Sequence, residues 1–255
     1  MVDFSLNGKV AVVTGAGAGG IGEAYARALG QAGASVAIAD INGEAVAETG
    51  RRLSALGLKV LTVETDIASP DSVKAMAAAV EKEFGGIDIL VNNAAIMAGI
   101  PRTPLVEFDL EWWDRVMRVN VRGALVCAQA CVPSMVARGG GKIVNQVSMG
   151  AFYNWGLYGI SKLALVGLTY GLAKELGKQN INVNAIAPGV ISSAAGLSLV
   201  PPGSPFMASR EATTAMNPLG TPDDLCGALL YLVSPAGKYM TGQCLNVDGG
   251  AIFRL

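Results

Sequence analysis

The sequence predicts an α/β fold: a doubly wound parallel β-sheet with helices on both faces, in a single domain over residues 1–255. Short apolar runs rich in β-branched residues, typical of strands buried on both faces, alternate along the chain with longer helical stretches. Such alternation implies parallel strands joined by right-handed crossovers. Neither a linker nor a repeat period divides the chain, which predicts one domain.

Composition excludes several kinds of chemistry. The chain has no histidine, which removes Ser-His-Asp and Cys-His hydrolases, histidine-dependent zinc sites and any histidine general base. The four cysteines form no CxxC pair and are interpreted as reduced thiols, so we expect no metal site. Proton transfer must therefore use Tyr, Lys, Asp or Glu.

Charge and hydropathy indicate which partners to expect. The net charge is −1, without a long basic or acidic run, so neither nucleic acid nor an anionic membrane is expected. No apolar stretch free of glycine and charge is long enough for a membrane span, and residues 1–5 do not resemble a signal peptide, which predicts a cytoplasmic location. Charged residues make up 15% of the chain, and helices 111–137 and 158–177 are apolar on more than one face, which predicts a homo-oligomer.

The first strand, loop and helix predict a dinucleotide site. Residues 9–14 form a predicted strand that leads into a glycine-rich loop over 15–22 and a helix from residue 23. Glycines let the backbone approach a pyrophosphate, and the helix N-terminus presents free N–H groups to it. The alternative is a flexible glycine turn. The candidate residues are Gly15, Gly17, Gly20, Ile21 and Gly22.

Asp40 indicates which dinucleotide binds. It ends the second predicted strand, residues 34–39, where an acid can bind both ribose hydroxyls of NAD and repel the 2′-phosphate of NADP. Neither residues 14–22 nor Ile41 and Asn42 supply a basic side chain for that phosphate, so NAD is favoured. Alternatively, Asp40 or Asn42 caps the helix predicted from Gly43.

The middle of the chain continues the alternation and adds further candidates. Strands are predicted over 58–63, 87–91 and 141–147, and helices over 70–84 and 111–137. Each of these elements carries or precedes a polar or small residue that we place at the site. In chain order these are Asp66, Ile67, Asn93, Ala94, Asn120 and Ser148.

Tyr158 and Lys162 are the candidate acid–base pair. Tyr158 begins a predicted helix over 158–177, and Lys162 lies one turn later on the same face. A nearby ammonium lowers the pKa of a phenol, and the Ser148 hydroxyl is placed to hold a substrate oxygen. The plainer alternative is a tyrosine at a helix start beside a solvated lysine.

The positions of these residues favour a single site. The remaining elements are a strand over 182–187, a Ser/Ala/Pro/Gly-rich stretch over 191–217, a helix over 222–234 and a strand over 243–247. Ligands of parallel sheets bind outside the carboxyl ends of the strands. The residues expected to converge there are the glycine loop, Asp40, Asp66, Asn93, Ser148, Pro188 and Gly189.

With these motifs in place, the chain resembles the short-chain dehydrogenase/reductase family in its compact single-domain form, which has a Rossmann-like fold. The resemblance runs from Lys9 to Gly250. It rests on Thr14-Gly15 with Gly20-Ile21-Gly22, Asp66-Ile67, Asn92-Asn93-Ala94, Asn120, Ser148, Tyr158-x-x-x-Lys162, Asn184-x-x-x-Pro188-Gly189, and Thr241-Gly242-Gln243 near Asp248-Gly249-Gly250.

The resemblance implies a role for each matching residue. Tyr158 is the general acid/base, Ser148 steadies the substrate oxygen, and Lys162 lowers the Tyr158 pKa and holds the nicotinamide ribose. Asn120 places a water in a proton relay. The other positions contact the cofactor: Asp66 and Ile67 the adenine, Asn93 and Ala94 the adjoining ribose, and Pro188, Gly189, Val190 and Ser193 the nicotinamide side. The oligomer implied is a tetramer.

Three positions depart from the family pattern. The loop over 15–22 is one residue longer than usual, so the glycines that touch phosphate are not assigned by the motif. Ala95 replaces a usual glycine, and the interval from Ser148 to Tyr158 is short. Tyr153 is a rival for the catalytic tyrosine, but no lysine follows it by four residues.

The expected activity is NAD-dependent interconversion of a secondary alcohol and a ketone by hydride transfer. The alternatives are a 3-oxoacyl-thioester reductase, which usually takes NADPH, and a catalytically silent dinucleotide-binding sensor or scaffold. Segments 96–100, 149–155 and 191–217 should form the substrate walls, and their side chains favour an apolar substrate. These side chains are Ile96, Met97, Phe152, Trp155, Leu197, Leu199, Phe206 and Met207.

Overall fold

The protein folds around one parallel β-sheet, shown by a computed structural model that describes residues 2–17, 19–153, 156–193, 196–197, 203–216 and 219–253. The strands in chain order are β1 (Val10–Thr14), β2 (Ser35–Asp40), β3 (Val60–Glu64), β4 (Ile89–Asn92), β5 (Gly141–Gln146), β6 (Ile181–Pro188), β7 (Val190–Ile191), β8 (Leu219–Gly220) and β9 (Cys244–Val247). Seven of them form the main sheet in the order β3-β2-β1-β4-β5-β6-β9, with every pair parallel. Strands β7 and β8 form a separate parallel pair.

Helices cover both faces of this sheet. They are α1 (Ile21–Gln31), α2 (Gly43–Ala55), α3 (Pro70–Phe84), α4 (Leu110–Met117), α5 (Ala124–Ala137), α6 (Gly156–Leu176), α7 (Pro205–Thr213) and α8 (Cys226–Val233). One buried cluster joins the sheet to α3, α5 and α6, and a second joins it to α1, α2 and α8. The predicted single-domain, doubly wound α/β fold is therefore confirmed.

Side-chain alternation along the strands builds these two cores. In β1, Val10 and Val12 belong to the first cluster, while Ala11 and Val13 belong to the second. All four are at most 4% exposed, so the strand is apolar on both faces. Burying a valine or leucine contributes about 1.5–3 kcal/mol, and these two clusters supply the main driving force for the fold.

The predicted helix over 111–137 is interrupted at its centre. Helices α4 and α5 are joined by a π-helical turn over Arg118–Gly123, which contains Asn120. Gly123 packs closely on Ile67, because a Cβ at this glycine would lie 2.8 Å from Ile67 Cδ1. Periodicity predicts the helix but does not reveal the extra residue in this turn.

Other element boundaries differ modestly from the prediction. Strand β4 begins at Ile89 rather than residue 87, and the Asp88 carboxylate just before it accepts a hydrogen bond from Val10 N at 2.9 Å. The predicted helix over 222–234 divides into a 3-10 turn, Pro222–Leu225, and helix α8. The Ser/Ala/Pro/Gly-rich stretch 191–217, for which no element was predicted, contains helix α7 and the end of β7.

Two helical segments meet the length and hydropathy criteria of a membrane span, although both contain glycine and charged residues. They are 110–137 and 156–179, with mean hydropathies of 1.3 and 1.2. Half of each is buried inside the fold. Core helices of water-soluble proteins meet the same criteria, so meeting them does not by itself indicate a span.

Candidate active site

A cavity of about 650 Å³ lies at the carboxyl ends of the strands. Its size falls within the range of about 300–1,000 Å³ for small-molecule and cofactor sites. The residues beyond β1, β2, β3, β4, β5 and β6 all contribute to its walls. The predicted site residues that line it are Gly15, Gly20, Ile21, Gly22, Asp40, Asp66, Ile67, Asn93, Ala94, Ser148, Tyr158, Lys162, Pro188, Gly189, Val190 and Ser193.

Two predicted residues, Gly17 and Asn120, do not line the cavity. The structure also adds residues that we did not predict. Gly19, in the glycine loop, lines the cavity and has a φ of 74°. Gln146, Arg115 and Arg118 contribute polar or charged side chains to the walls. The detectable signal for Gln146 was a polar side chain at the carboxyl end of a predicted strand.

The glycine loop is held against the end of β4. Gly15 has a φ of 69°, and a Cβ there would lie 2.6 Å from Ala94 Cα, so this position requires glycine. At Gly22 the φ is ordinary, but a Cβ would lie 2.4 Å from Gly15 O. At its glycines the loop backbone is therefore exposed to the cavity, as close approach to a pyrophosphate requires.

Asn93 and Thr14 fix this loop from the side. Asn93 Nδ2 donates to Thr14 O at 3.0 Å and to Gly15 O at 2.9 Å. In return, Thr14 Oγ1 accepts from the backbone N–H groups of Asn93 and Ala94, both at 3.1 Å. Asn93 therefore positions the glycine loop as well as lining the cavity.

Gly17 supports Asp40 instead of facing the cavity. Its N–H donates to Asp40 Oδ2 at 2.9 Å, and a Cβ at Gly17 would lie 2.7 Å from Asp40 Cγ. Asp40 Oδ1 accepts from Asn42 N at 3.0 Å, while Asn42 itself caps α2 by accepting from Ala45 N. A carboxylate offers about four acceptor positions, so Asp40 keeps capacity for a ligand in the cavity.

Ser148, Tyr158 and Lys162 meet at the other end of the cavity. Ser148 follows β5 and its Oγ accepts from Gly150 N at 3.0 Å; it also hydrogen-bonds the Tyr158 phenol. Lys162 lies one turn along α6, with Nζ 5.6 Å from the centroid of the Tyr158 ring. Lys162 Nζ donates to Gln146 O at 2.7 Å, which holds the ammonium at the end of β5.

Burial controls the titration of this group. It raises the pKa of Tyr158 to about 12, against which the hydrogen bond with Ser148 acts in the opposite direction. It lowers the pKa of Lys162 to about 7. In the protein without cofactor, desolvation is the largest influence on both pKa values, and the expectation that Lys162 lowers the Tyr158 pKa stays a prediction.

Asn120 occupies a structural position next to the cavity. Its Oδ1 accepts from Ile96 N at 2.7 Å, and its Nδ2 donates to Ile96 O at 2.9 Å and Ser161 Oγ at 3.1 Å. Both N–H donors of the amide are thus used to join the segment after β4 to helix α6. The expectation that Asn120 places a water in a proton relay stays a prediction.

The predicted substrate walls are only partly found. Ile96 and Met97 line the cavity. Met207 instead packs with Met149 and Val190 in a small buried cluster, because these apolar side chains are covered by Leu219, Ala251 and Ile252. Phe152 packs against another cluster, formed by α6 and the sheet, and Leu197 does not line the cavity. Trp155, Leu199 and the side chain of Phe206 lie outside the described part of the chain.

Tyr153 is placed away from the acid–base group. Its hydroxyl donates to Ala251 O at 3.1 Å and accepts from Arg210 Nη1 at 2.9 Å, and the Arg210 guanidinium lies 4.9 Å from its ring centroid. It therefore joins α7 to the C-terminal segment, and the cavity wall contains Tyr158 instead.

The residues present fit a nicotinamide dinucleotide. A glycine-lined helix N-terminus is suited to the pyrophosphate, Asp40 to ribose hydroxyls, and Ser148 with Tyr158 to an alcohol or carbonyl oxygen. Among the described residues no group of three or more Cys, Asp or Glu side chains is arranged to hold a metal ion.

Comparison with known proteins agrees with this geometry. Residues 15–251 match a family model for short-chain dehydrogenases described as Enoyl-(Acyl carrier protein) reductase. An uncharacterized oxidoreductase of Mycobacterium tuberculosis is 44% identical over 249 residues, covering 98% of this chain and 99% of the relative.

Two solved structures are similar over nearly the whole chain. One is a 7α-hydroxysteroid dehydrogenase in complex with NADH and 7-oxo glycochenodeoxycholic acid, with a TM-score of 0.91 and 35% identity, covering 97% of this chain and 96% of that chain. The other is a gluconate 5-dehydrogenase from Burkholderia cenocepacia in complex with NADP and tartrate, with a TM-score of 0.90 and 36% identity, covering 98% and 97%.

Proposed function

The chain belongs to the short-chain dehydrogenase/reductase family, and on that premise we propose that it is an NAD-dependent oxidoreductase that interconverts a secondary alcohol and a ketone. The observation that carries this proposal is the meeting of Ser148, Tyr158 and Lys162 in a cavity that also contains the glycine loop and Asp40. A bound nicotinamide ring would supply or accept the hydride.

The chain's own residues handle the proton. In the alcohol-oxidising direction, Tyr158 accepts the proton from the substrate hydroxyl while the Ser148 hydroxyl donates a hydrogen bond to the same oxygen. In the reverse direction the Tyr158 O–H protonates the developing alkoxide. Since burial raises the Tyr158 pKa to about 12, the phenol is protonated at neutral pH and ready to act as an acid.

Lys162 supplies positive charge that responds to its surroundings. Its pKa of about 7 means that a nearby anion, such as a forming phenolate, favours the charged ammonium near neutral pH. The ammonium and the phenolate then stabilise each other. Asn120 contributes by fixing Ile96, a wall residue, and the family role implied for it is to hold a water of the proton relay.

Asp40 supports NAD over NADP. Its carboxylate keeps acceptor capacity for two ribose hydroxyls, whereas a 2′-phosphate at the same place would meet a like charge. The relatives include complexes with NADH and with NADP, so the preference rests on this residue in this chain. Ile96, Met97, Val190 and Ile191 in the cavity wall support an apolar substrate.

The proposal is tested by an activity screen with purified protein. NADH formation from NAD would be followed with cyclic, aromatic, steroidal and long-chain secondary alcohols, and with polyols for comparison. We expect turnover with at least one apolar alcohol. NADH binding without turnover on any alcohol or ketone would favour the silent sensor instead.

Cofactor preference is tested with the same assay. We expect kcat/KM to favour NAD over NADP by roughly a hundredfold, since a desolvated like-charge contact costs several kcal/mol. Asp40→Ala combined with Ile41→Arg should reduce or reverse this preference, because arginine binds phosphate bidentately. Glu44→Ala, which removes an exposed acid of α2, is the control and should leave it unchanged. Equal efficiency of the wild type with both cofactors would contradict the assignment.

A further inference from the structure

Gln146 is a buried polar residue in the cavity wall that the proposed proton chemistry does not use. It is the last residue of β5 and is 5% exposed. A buried amide usually satisfies its donors and acceptors, because a lost hydrogen bond there costs free energy. The bonds that Gln146 makes therefore show what the side chain is arranged to do.

One end of the amide is fixed by helix α1. Tyr25 is fully buried, and its hydroxyl donates to Gln146 Oε1 at 2.8 Å. Burial holds the pKa of Tyr25 well above its usual value, so this hydroxyl stays protonated and remains a donor. In the structure this hydroxyl therefore donates to the oxygen of the Gln146 amide.

The opposite end of the amide, Nε2, is not among the fully buried polar atoms that lack a partner, so it is accessible. Gln146 Nε2 has no hydrogen-bond partner among the described residues, and Gln146 contributes to the cavity wall together with Ile21, Lys162 and Ser148. With Oε1 tied to Tyr25, the amide presents two N–H donors to whatever occupies this part of the cavity.

The position of the amide indicates which part of a ligand it meets. The backbone carbonyl of Gln146 accepts from Lys162 Nζ at 2.7 Å, so the main chain of Gln146 lies at the Lys162 end of the cavity. Tyr25 lies one turn beyond Ile21, at the start of the helix that follows the glycine loop. The carboxylates in the wall, Asp40 and Asp66, belong to the opposite end of the cavity, beyond β2 and β3.

We propose that Gln146 is a further dinucleotide-binding residue, whose side-chain amide donates to an oxygen of the nicotinamide ribose–phosphate half and is oriented by Tyr25. This inference rests on the proposed function, because it assumes that a nicotinamide dinucleotide occupies the cavity. It assigns one polar residue to link the phosphate-binding helix with the catalytic lysine.

The test is a fluorescence titration with NADH, which needs no substrate. The main variant combines Gln146→Met, which keeps the side-chain length and removes the donors, with Tyr25→Phe, which avoids leaving a buried hydroxyl without an acceptor. We expect its Kd for NADH to rise about three- to tenfold, the effect of losing one neutral hydrogen bond. Tyr25→Phe alone, which keeps the amide, should weaken binding less.

Two further variants complete the design. Gln179→Met, at an exposed position before β6, is the control and should leave the Kd unchanged. Gln146→Glu keeps an acceptor for Tyr25 and replaces the N–H donors by a carboxylate, so at pH 8 we expect a loss of about tenfold or more. Thermal unfolding midpoints show whether each variant is folded. If the double variant does not fold, Gln146→Glu takes its place in the NADH titration.

The possible outcomes separate the two proposals. If the wild type binds NADH and the folded Gln146 variants bind it equally well, Gln146 is not a cofactor residue and the proposed function stands. An equal loss in Gln179→Met would also overturn the inference. If the wild type binds neither NADH nor NADPH, the proposed function itself fails.

Discussion

At the scale of single residues, the acid–base group is notable for the burial of both titrating side chains. Lys162 is 2% exposed and donates to a backbone carbonyl instead of a carboxylate. Tyr158 keeps part of its surface open to the cavity, yet burial raises its pKa. Burial of both groups disfavours their charged forms and so costs folding free energy. A bound anion near Lys162 favours the ammonium, and a bound cation near Tyr158 favours the phenolate.

The first prediction concerns Tyr158 itself. Tyr158→Phe should lower kcat by about a hundredfold to ten-thousandfold, the usual contribution of a general acid, while the Kd for NADH stays within about twofold. Tyr153→Phe is the matched control, because Tyr153 contacts Ala251 and Arg210 and not the cavity. Steady-state kinetics and an NADH titration measure both. Substantial turnover in Tyr158→Phe would show that another group moves the proton.

The second prediction concerns the stability cost of Lys162. Its pKa falls from 10.5 to about 7 on folding, so the unfolded chain binds more protons between these pH values, and stability rises as the pH increases through this window. Each pKa unit corresponds to about 1.4 kcal/mol. Lys162→Met removes the free-energy cost of burying the ammonium, which is full at pH 6 and smaller at pH 9. The stability of the variant relative to the wild type should therefore be greater at pH 6 than at pH 9.

Thermal unfolding of both proteins without cofactor, at the two pH values, measures this difference. The hydrogen bond from Lys162 to Gln146 is lost in the variant at both pH values and therefore cancels in the comparison. If the difference in stability between variant and wild type were independent of pH, or larger at pH 9, folding would not lower the pKa of Lys162.

At the scale of elements, the site depends on close contacts between the glycine loop and its neighbours. The turn after β1 passes so near the end of β4 that Gly15 and Gly22 have no space for a Cβ. The π-turn between α4 and α5 provides a second such contact, with Gly123 against Ile67. Glycine is needed at these positions because a Cβ would clash with the neighbouring segment, and this packing requirement outweighs the low helix propensity of glycine.

The third prediction compares two helical glycines. Gly22→Ala, in α1, should destabilise the protein by about 1–3 kcal/mol and weaken NADH binding, because a Cβ would lie 2.4 Å from a backbone oxygen. Gly227→Ala, in α8, has no atom within 4 Å of its Cβ and should be neutral or stabilising by about 0.5–1 kcal/mol. Urea unfolding measures both. A neutral Gly22→Ala would mean that the loop adjusts freely.

At the scale of the whole molecule, we propose that the outer faces of α4, α5 and α6 carry a subunit contact. An apolar cleft there is lined by Met117, Val121, Leu125 and Leu168, with Asp114, Arg118 and Arg122 at its edge. On α6, Leu163 is 52% and Tyr170 50% exposed. A face of this composition is more apolar than a solvated helix surface and suits a second copy of the same chain.

The fourth prediction is a homo-oligomer, with a tetramer expected from the family. Light scattering should give a multiple of the 26.1 kDa chain mass at micromolar concentration. Leu125→Glu places a charge in the cleft and should shift the protein to a smaller species. Leu56→Glu, at a leucine that is 58% exposed after α2, is the control. A wild-type monomer would refute the proposal.

The sequence by itself determined the fold class, the order of strands and helices along the chain, and the position of most cavity residues. These follow from short-range patterns: apolar runs, glycines after a strand, and polar residues at strand ends. The carboxyl ends of parallel strands meet at one edge, so a residue known to follow such a strand is placed near the site without further information. Ser148 and Asp40 were predicted in this way.

Only the tertiary structure decided which atoms face the cavity and how they titrate. The Gly17 N–H bonds Asp40, Asn120 uses its amide on Ile96 and Ser161, and Gln146 meets Tyr25 from a helix more than a hundred positions earlier in the chain. The pKa of Lys162 is set by burial among groups from distant segments. Contacts and desolvation of this kind depend on three-dimensional distance, which local sequence patterns do not encode.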